Sequence, residues 1–205
     1  MNYKSILNLI GILLAIFSFA FIPPLIVTFI YKEPLSEIFL YSFLFLISLG
    51  VLMWFISRQK GLPLNISDGF IITTMFWIVL ACAGSIPFYF FGLSFNDAIF
   101  ESVSGITTTG ATLIVGLDDL PKSLLLYRQL LQWIGGMGLI ILAVAVMPAL
   151  GIGGSQLYKM ELPGSHGNQK LTPKITDSAK ALWKIYFGLT LACALLYILS
   201  GMDLF

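Results

Sequence analysis

The sequence predicts an all-α polytopic membrane protein: two leading helices, one helix–pore loop–helix repeat, and the first helix of a second repeat. Three observations predict it. Hydrophobic residues make up 58% of the chain and charged ones 10%, where a soluble domain carries roughly a quarter charged. Apolar runs of about twenty residues recur, each long enough to cross a hydrocarbon core of roughly 30 Å. Between two of these runs lies 94–112, Ser-Phe-Asn-Asp-Ala-Ile-Phe-Glu-Ser-Val-Ser-Gly-Ile-Thr-Thr-Thr-Gly-Ala-Thr, too short and too polar to be a span itself. Non-helical backbone is tolerated at membrane depth only where protein buries it or water lines it, so this segment reads as a re-entrant pore loop.

Five spans are expected: Ile6–Tyr31, Leu35–Ser57, Gly69–Phe91, Leu124–Met147 and Ala181–Ser200. The first follows Lys4 as a signal peptide would, but it outruns an h-region and shows no small-x-small site before Pro23-Pro24. It is therefore a retained span, kinked where proline removes a backbone donor. The tight turn Lys32-Glu33-Pro34 closes a leading hairpin, and a polar linker from Arg58 to Asp68 follows. The expected domains are 1–68 (hairpin and linker), 69–148 (helix–pore loop–helix), 149–178 (a cytoplasmic connector rich in glycine, proline and lysine) and 179–205 (first helix of an incomplete repeat). With the N-terminus inside, the cytoplasmic side holds Lys4, Arg58, Lys60, Lys159, Lys170, Lys174, Lys180 and Lys184 against Lys32 and Lys122 outside. The positive-inside bias thus places the amino end in the cytoplasm and lets the pore loop dip in from the other face. A short internal echo, Gly92-Leu93-Ser94 and Gly201-Met202-Asp203, marks the same point in two repeats.

Within the pore loop, Ser94 with Asp97 three residues on forms a capping box that starts a short helix, Phe95 to Ile106. Its C-terminal end carries the negative pole of the macrodipole toward mid-membrane, where a dehydrated cation is favoured and an anion repelled. Thr107-Thr108-Thr109-Gly110-Ala111-Thr112 follows. Gly110 permits positive φ, so the threonine carbonyls can face a water-filled axis and replace a cation's hydration shell. The bland alternative is a threonine-rich surface turn. Glu101, a carboxylate at membrane depth, either lends its field to the outer vestibule or pairs with Arg128 to orient the loop. Arg128 and Gln132, four apart on one helix face, read as bracing for the loop and not as ion ligands.

The remaining polar and small residues suggest less. Gly135-Gly136-Met137-Gly138 lets backbones approach closely, as a packing surface first and a gating hinge second. Gly151-Ile152-Gly153-Gly154 lacks the strand and spacing of a dinucleotide site. Asn65-Ile66-Ser67 matches a glycosylation sequon on the expected cytoplasmic side and reads as accidental. Cys82 and Cys193 lie inside spans as small core residues, with no disulfide expected, and the lone His166 is a solvated loop residue that cannot build a zinc site. No nucleophile–base pair, HExxH or P-loop is present, so no enzyme and no cofactor is expected. A net charge of +1 leaves no nucleic-acid footprint.

Two stretches carry a family resemblance: Phe95–Thr112 with Leu124-Leu125-Leu126-Tyr127-Arg128-Gln129-Leu130-Leu131-Gln132-Trp133-Ile134-Gly135-Gly136-Met137-Gly138, and Gly151-Ile152-Gly153-Gly154-Ser155-Gln156-Leu157-Tyr158 with Glu161-Leu162-Pro163-Gly164. Both resemble the TrkH/TrkG potassium-uptake proteins of the Trk/Ktr/HKT superfamily, over essentially the whole chain. The resemblance implies two leading helices and then four helix–pore loop–helix repeats around one pseudo-fourfold pore in a bacterial inner (plasma) membrane. It implies that Thr107, Thr108, Thr109 and Gly110 form one potassium-binding filter strand, with Glu101, Arg128 and Gln132 in support. A glycine at Gly110, where sodium-permeable plant relatives carry serine, favours potassium. It further implies membrane lipid, a cytoplasmic TrkA-like nucleotide-binding ring and a homodimer as partners. Potassium is then the transported ligand and the only metal expected. The chain ends where the second pore helix would begin. It is read as an N-terminal portion supplying one of four filter parts, or alternatively as a truncated, non-conducting membrane subunit that only associates with partner helices.

Overall fold

A computed structural model describes residues 3–57, 66–149 and 172–201, with side chains throughout except at 66–70, 139–149 and 172–179. Most of the Arg58–Asp68 linker, Asn65 of the sequon, the Gly151–Gly154 run, His166 and Asp203 lie outside the described residues. The elements are α1 (Tyr3–Ser18), a 3-10 turn (Phe19–Phe21), α2 (Ile22–Tyr31), α3 (Ser36–Ser57), α4 (Ile66–Gly84), α5 (Ile86–Phe91), α6 (Phe95–Ile106), a second 3-10 turn (Leu117–Asp119), α7 (Lys122–Ala149) and α8 (Thr172–Leu199). No strand occurs among the described residues. The chain divides into two compact units, Met1–Gly136 and Met137–Phe205.

Four helical stretches among the described residues are long and apolar enough to cross a membrane: Tyr3–Tyr31, Ser36–Ser57, Ile71–Phe91 and Lys180–Leu199, with mean hydropathies of 2.5, 2.3, 1.9 and 1.8. The other expected span, Leu124–Met147, falls on α7. The first span breaks at Phe19–Phe21, just before Pro23 and Pro24. The prolines sit in the first turn of α2, where their missing N–H groups cost nothing, and their rings clash with the turn before them. The third span is interrupted too. Ser85 separates α4 from α5, and Pro87 takes the same first-turn position, a break that the expected continuous Gly69–Phe91 helix did not include.

In the first unit α1 packs along α3 and against α4, α2 against α3, and α4 and α5 against α6. The α1–α3 crossing is close because both helices present glycine there. A Cβ on Gly50 would lie 2.6 Å from the Gly11 carbonyl oxygen, and one on Gly11 would lie 2.8 Å from that of Gly50. Asn8 Nδ2 donates to the Trp54 carbonyl at 3.2 Å one turn away. In lipid such approach, not the hydrophobic effect, is what holds helices together. The buried core gathers Phe17, Phe21, Phe39, Leu46, Phe88, Tyr127 and Leu131, while Leu44, Phe45, Phe55 and Ile56 on α3 are exposed, as a lipid-facing surface requires. Cys82 and Cys193 are both free and both exposed. The core placement expected for them is corrected: the helices are apolar on every side, so span membership did not specify an inward face.

In the second unit α8 begins at Thr172 and carries the Lys180–Leu199 span. Its apolar residues, among them Leu189, Leu195 and Ile198, are exposed.

Replacing Gly50 with valine is expected to force α1 and α3 apart and lower stability by about 1–3 kcal/mol. Thermal unfolding in detergent micelles checks this, and an unshifted transition would show that the crossing does not need its glycines.

Candidate functional site

The helix α6 starts where the sequence places it. Ser94 is extended (φ −61°, ψ 157°), and its Oγ accepts the Asp97 N–H at 3.2 Å while donating to Asp97 Oδ2 at 2.7 Å. Two neighbours seat the helix closely. A Cβ on Gly135 of α7 would fall 1.9 Å from the Ile106 carbonyl oxygen, and one on Gly84 of α4 would fall 2.4 Å from Ser102 Oγ. Gly135 is therefore a packing surface for the end of α6. The buried Ser102 hydroxyl, pressed against Gly84, has no hydrogen-bond partner.

After Ile106 the backbone φ alternates in sign: −80° at Thr107, +59° at Thr108 and +74° at Gly110, with Thr109 not among the positive values. Amides of this run turn back onto the end of α6. The N–H of Thr107 donates to Val103 at 2.9 Å, that of Thr108 to Gly105 at 2.9 Å, and those of Thr109 and Gly110 to Ser104 at 2.9 and 3.3 Å. These bonds satisfy carbonyls that a helix C-terminus otherwise leaves open. Among the described residues no hydrogen bond takes up the carbonyl oxygens of Thr107, Thr108, Thr109 or Gly110, and these residues are exposed. The row ends at Ala111, whose carbonyl accepts the Ser104 hydroxyl at 2.6 Å. The Thr107 hydroxyl donates to Val103 O at 2.8 Å and lies 2.8 Å from that of Thr109, tying the side chains to the helix and to each other. Thr108 is β-branched in the left-handed region, a strain of about 1–3 kcal/mol that persists only where surroundings impose it.

Glu101 holds the returning strand. Its side chain is 1% exposed. Oε1 accepts the Thr112 hydroxyl at 2.6 Å and the Leu113 N–H at 2.7 Å, and Oε2 accepts Arg128 Nε at 3.1 Å. Of the two roles the sequence allowed Glu101, the geometry is that of the ion pair that orients the loop. Gln132, one turn beyond Arg128, is half-buried and is not among the residues this network brings together.

Sequence reasoning missed Ser104 and Tyr127. Ser104, in the last turn of α6, sends its hydroxyl seven residues on to the Ala111 carbonyl, a pairing that no local spacing rule marks. Tyr127, 0% exposed, donates its hydroxyl to the Gly84 carbonyl at 2.8 Å, at the break between α4 and α5. Its ring lies 5.5 Å from Phe21, 5.7 Å from Phe39 and 5.3 Å from Phe88. A polar-tipped ring inside an apolar run was the available signal, since buried tyrosine hydroxyls usually find a partner. Among the described residues no group of three or more His, Cys, Asp or Glu side chains could hold a metal ion; backbone carbonyls are the oxygen ligands on offer.

Glu101→Gln is expected to leave the buried Arg128 guanidinium without its counter-charge and to cost about 3–5 kcal/mol. Tyr127→Phe, which leaves the Gly84 carbonyl without its donor, is expected to cost nearer 1–2 kcal/mol. Denaturation of the two variants side by side checks the ranking, and an equal or reversed order would remove the ion pair as the main brace.

Comparison with known proteins identifies the family. Residues 35–202 match the family model TrkH, described as a cation transport protein. Over 208 residues the chain is 49% identical to the Trk system potassium uptake protein TrkH of Vibrio parahaemolyticus, covering 100% of this chain and 43% of that protein. It is 45% identical, with the same coverage, to the Escherichia coli K12 protein of that name. The crystal structure of the potassium transporter TrkH from Vibrio parahaemolyticus superposes with a TM-score of 0.85 at 46% identity, covering 99% of this chain and 41% of that one. The chain thus spans less than half the length of the curated relatives it matches.

Proposed function

Because the chain belongs to the TrkH cation-transport family, we propose that it serves potassium uptake by supplying one of four strands of a carbonyl-lined selectivity filter. One observation carries this reading: four consecutive carbonyls of exposed residues, at Thr107, Thr108, Thr109 and Gly110, have no hydrogen-bond donor among the described residues and stand at the C-terminal end of a short helix. A potassium ion entering the membrane sheds water, and carbonyl oxygens aimed at one axis replace that water. The α6 macrodipole adds negative potential at the same place. Arg128 does not oppose it, since Glu101 neutralises the guanidinium within hydrogen-bond distance.

The other three strands come from repeats beyond the segment described, in keeping with relatives of more than twice its length. On this reading 1–68 is the leading hairpin and linker, 69–148 the first repeat, 149–178 a cytoplasmic connector and 179–205 the opening helix of the next repeat. The complete protein sits in a bacterial inner membrane with its amino end in the cytoplasm, as a homodimer on a TrkA-like ring. It transports and does not catalyse. One contact supports this topology: the Lys32–Pro34 turn and the start of α7 meet through Glu33, as two segments on one membrane face can.

The test is rubidium uptake in a bacterial host lacking its own potassium uptake systems. The chain alone, present in the membrane, is expected not to transport. Placed in the Vibrio parahaemolyticus protein instead of its matching residues, it is expected to restore uptake. Gly110→Ser in that chimera should lower the preference for potassium over sodium by about tenfold, or about 1.4 kcal/mol. Uptake by the chain alone would refute the one-quarter reading. An inactive chimera that reaches the membrane would favour the non-conducting subunit, and unaltered selectivity would remove Gly110 from the filter.

A further inference from the structure

The Lys32-Glu33-Pro34 turn does more than reverse the chain. Lys32 is left-handed (φ 56°), and its N–H and that of Glu33 both return to the Thr28 carbonyl. The turn is thereby fixed, and the half-buried Glu33 is aimed at the first turn of α7. Its Oε1 accepts the Lys122 N–H at 2.7 Å. Its Oε2 accepts the Ser123 N–H at 3.1 Å and the Ser123 hydroxyl. Ser123 is fully buried, and Lys122 Nζ sits 4.5 Å from the centre of the Tyr31 ring beside it. Helix caps normally come from the residue preceding the helix. Here the capping carboxylate lies 90 residues away in sequence, on the leading hairpin.

We infer that Glu33 is a positioning residue for the ion-selective strand, fixing through α7 the place from which Arg128 holds Glu101. This rests on the potassium-filter reading above. One turn beyond Ser123, Tyr127 packs on Phe21 and Phe39 of the same hairpin. The hairpin therefore grips α7 at two heights, by charge and hydrogen bonds at its end and by ring packing a turn deeper. Two grips set both the position and the tilt of a rigid helix; one grip leaves it free to pivot. Arg128 follows Tyr127 directly and is the arm by which α7 reaches Glu101. Glu101 in turn holds Thr112 and Leu113 immediately after the carbonyl row. A pivot of α7 therefore reaches the strand through one ion pair. The leading hairpin, which contributes no carbonyl to the proposed pathway, acquires a role in its selectivity.

Amide hydrogen exchange on the whole chain in micelles tests this without transport. In Glu33→Gln one of the two accepting oxygens becomes an NH2 that cannot accept, whichever way the carboxamide turns. The Lys122 and Ser123 amides are together expected to lose an acceptor, and the one left facing the NH2 to exchange about tenfold faster. The Leu113 amide, 10 residues from Ser123 and held by Glu101, should also exchange several-fold faster. Ser123→Ala, which removes one of the three donors and keeps the carboxylate, should do the same to a lesser degree, and it carries the comparison if Glu33→Gln fails to fold. Faster exchange at Lys122 or Ser123 with Leu113 unmoved would make Glu33 a helix cap only and overturn the proposal. In the active chimera, Glu33→Gln should lower the rubidium-over-sodium ratio several-fold; an unchanged ratio would equally overturn it. A chimera inactive before any substitution refutes the transport reading instead, while the exchange comparison still decides whether the hairpin positions the strand.

Discussion

A carboxylate buried inside the protein governs this structure. Glu101 is shielded from water by the protein, so its oxygens must find donors within it. Its donors come from two places: the guanidinium of Arg128 on α7, and the hydroxyl and amide of Thr112 and Leu113 on the returning strand. Helix α6 carries the acceptor. All three elements must stand in one relative arrangement for the carboxylate to be satisfied, and a shift of any one orphans a buried charge. Buried ion pairs add little net stability compared with well-packed apolar residues. Their contribution here is geometric: one carboxylate ties α6, α7 and the segment after the carbonyl row together.

The backbone of the carbonyl row follows from that confinement. A strand leaving a helix C-terminus could bond its carbonyls to a neighbour or turn them to water. Here the amides of Thr107 to Gly110 are spent on the last turn of α6, which sends the carbonyls the other way. Alternating φ is the backbone solution that turns successive peptides to one side. Glycine takes the positive values without penalty at Gly110, but Thr108 does not. The strain at Thr108 is offset by the hydroxyl bonds of its neighbours Thr107 and Thr109 and by the Ser104 bond to Ala111 beyond. A sequence richer in glycine would adopt this conformation with less strain and hold it less firmly.

Much of this was legible in the sequence, for identifiable reasons. Hydropathy placed the spans because bilayer thickness fixes helix length. Ser94 with Asp97 placed the start of α6 to the residue, since a cap is a local interaction. The threonine run with Gly110 marked the special backbone, although the left-handed turn at Thr108 was invisible: nothing local predicts strain that distant contacts impose. The break at Ser85 could have been taken from Pro87, whose ring disturbs the turn before it. Helix faces were not legible. In α3 and α4 apolar residues cover every side, so periodicity carries no inward direction and Cys82 could not be placed. Glu33 and Tyr127 were hidden for another reason. Their partners lie 90 and 43 residues away, and a single sequence records residue types without pairings.

On the proposed filter reading, the distribution of charge around the carbonyl row lets the strand favour a cation without trapping it. A bare carboxylate beside the row would bind a cation strongly, and a bare guanidinium would expel it; conduction requires affinity sufficient to enter and weak enough to leave. Glu101 and Arg128 lie on the protein side of the row and cancel at 3.1 Å, so neither contributes a net charge there. What remains are dipoles: the carbonyls of Thr107 to Gly110 and the negative end of α6 behind them. Dipoles fixed by hydrogen bonds need no reorganisation when an ion arrives, and their field falls off faster than that of a charge. The ion pair thus serves the row twice, by setting its geometry and by bringing no net charge beside it.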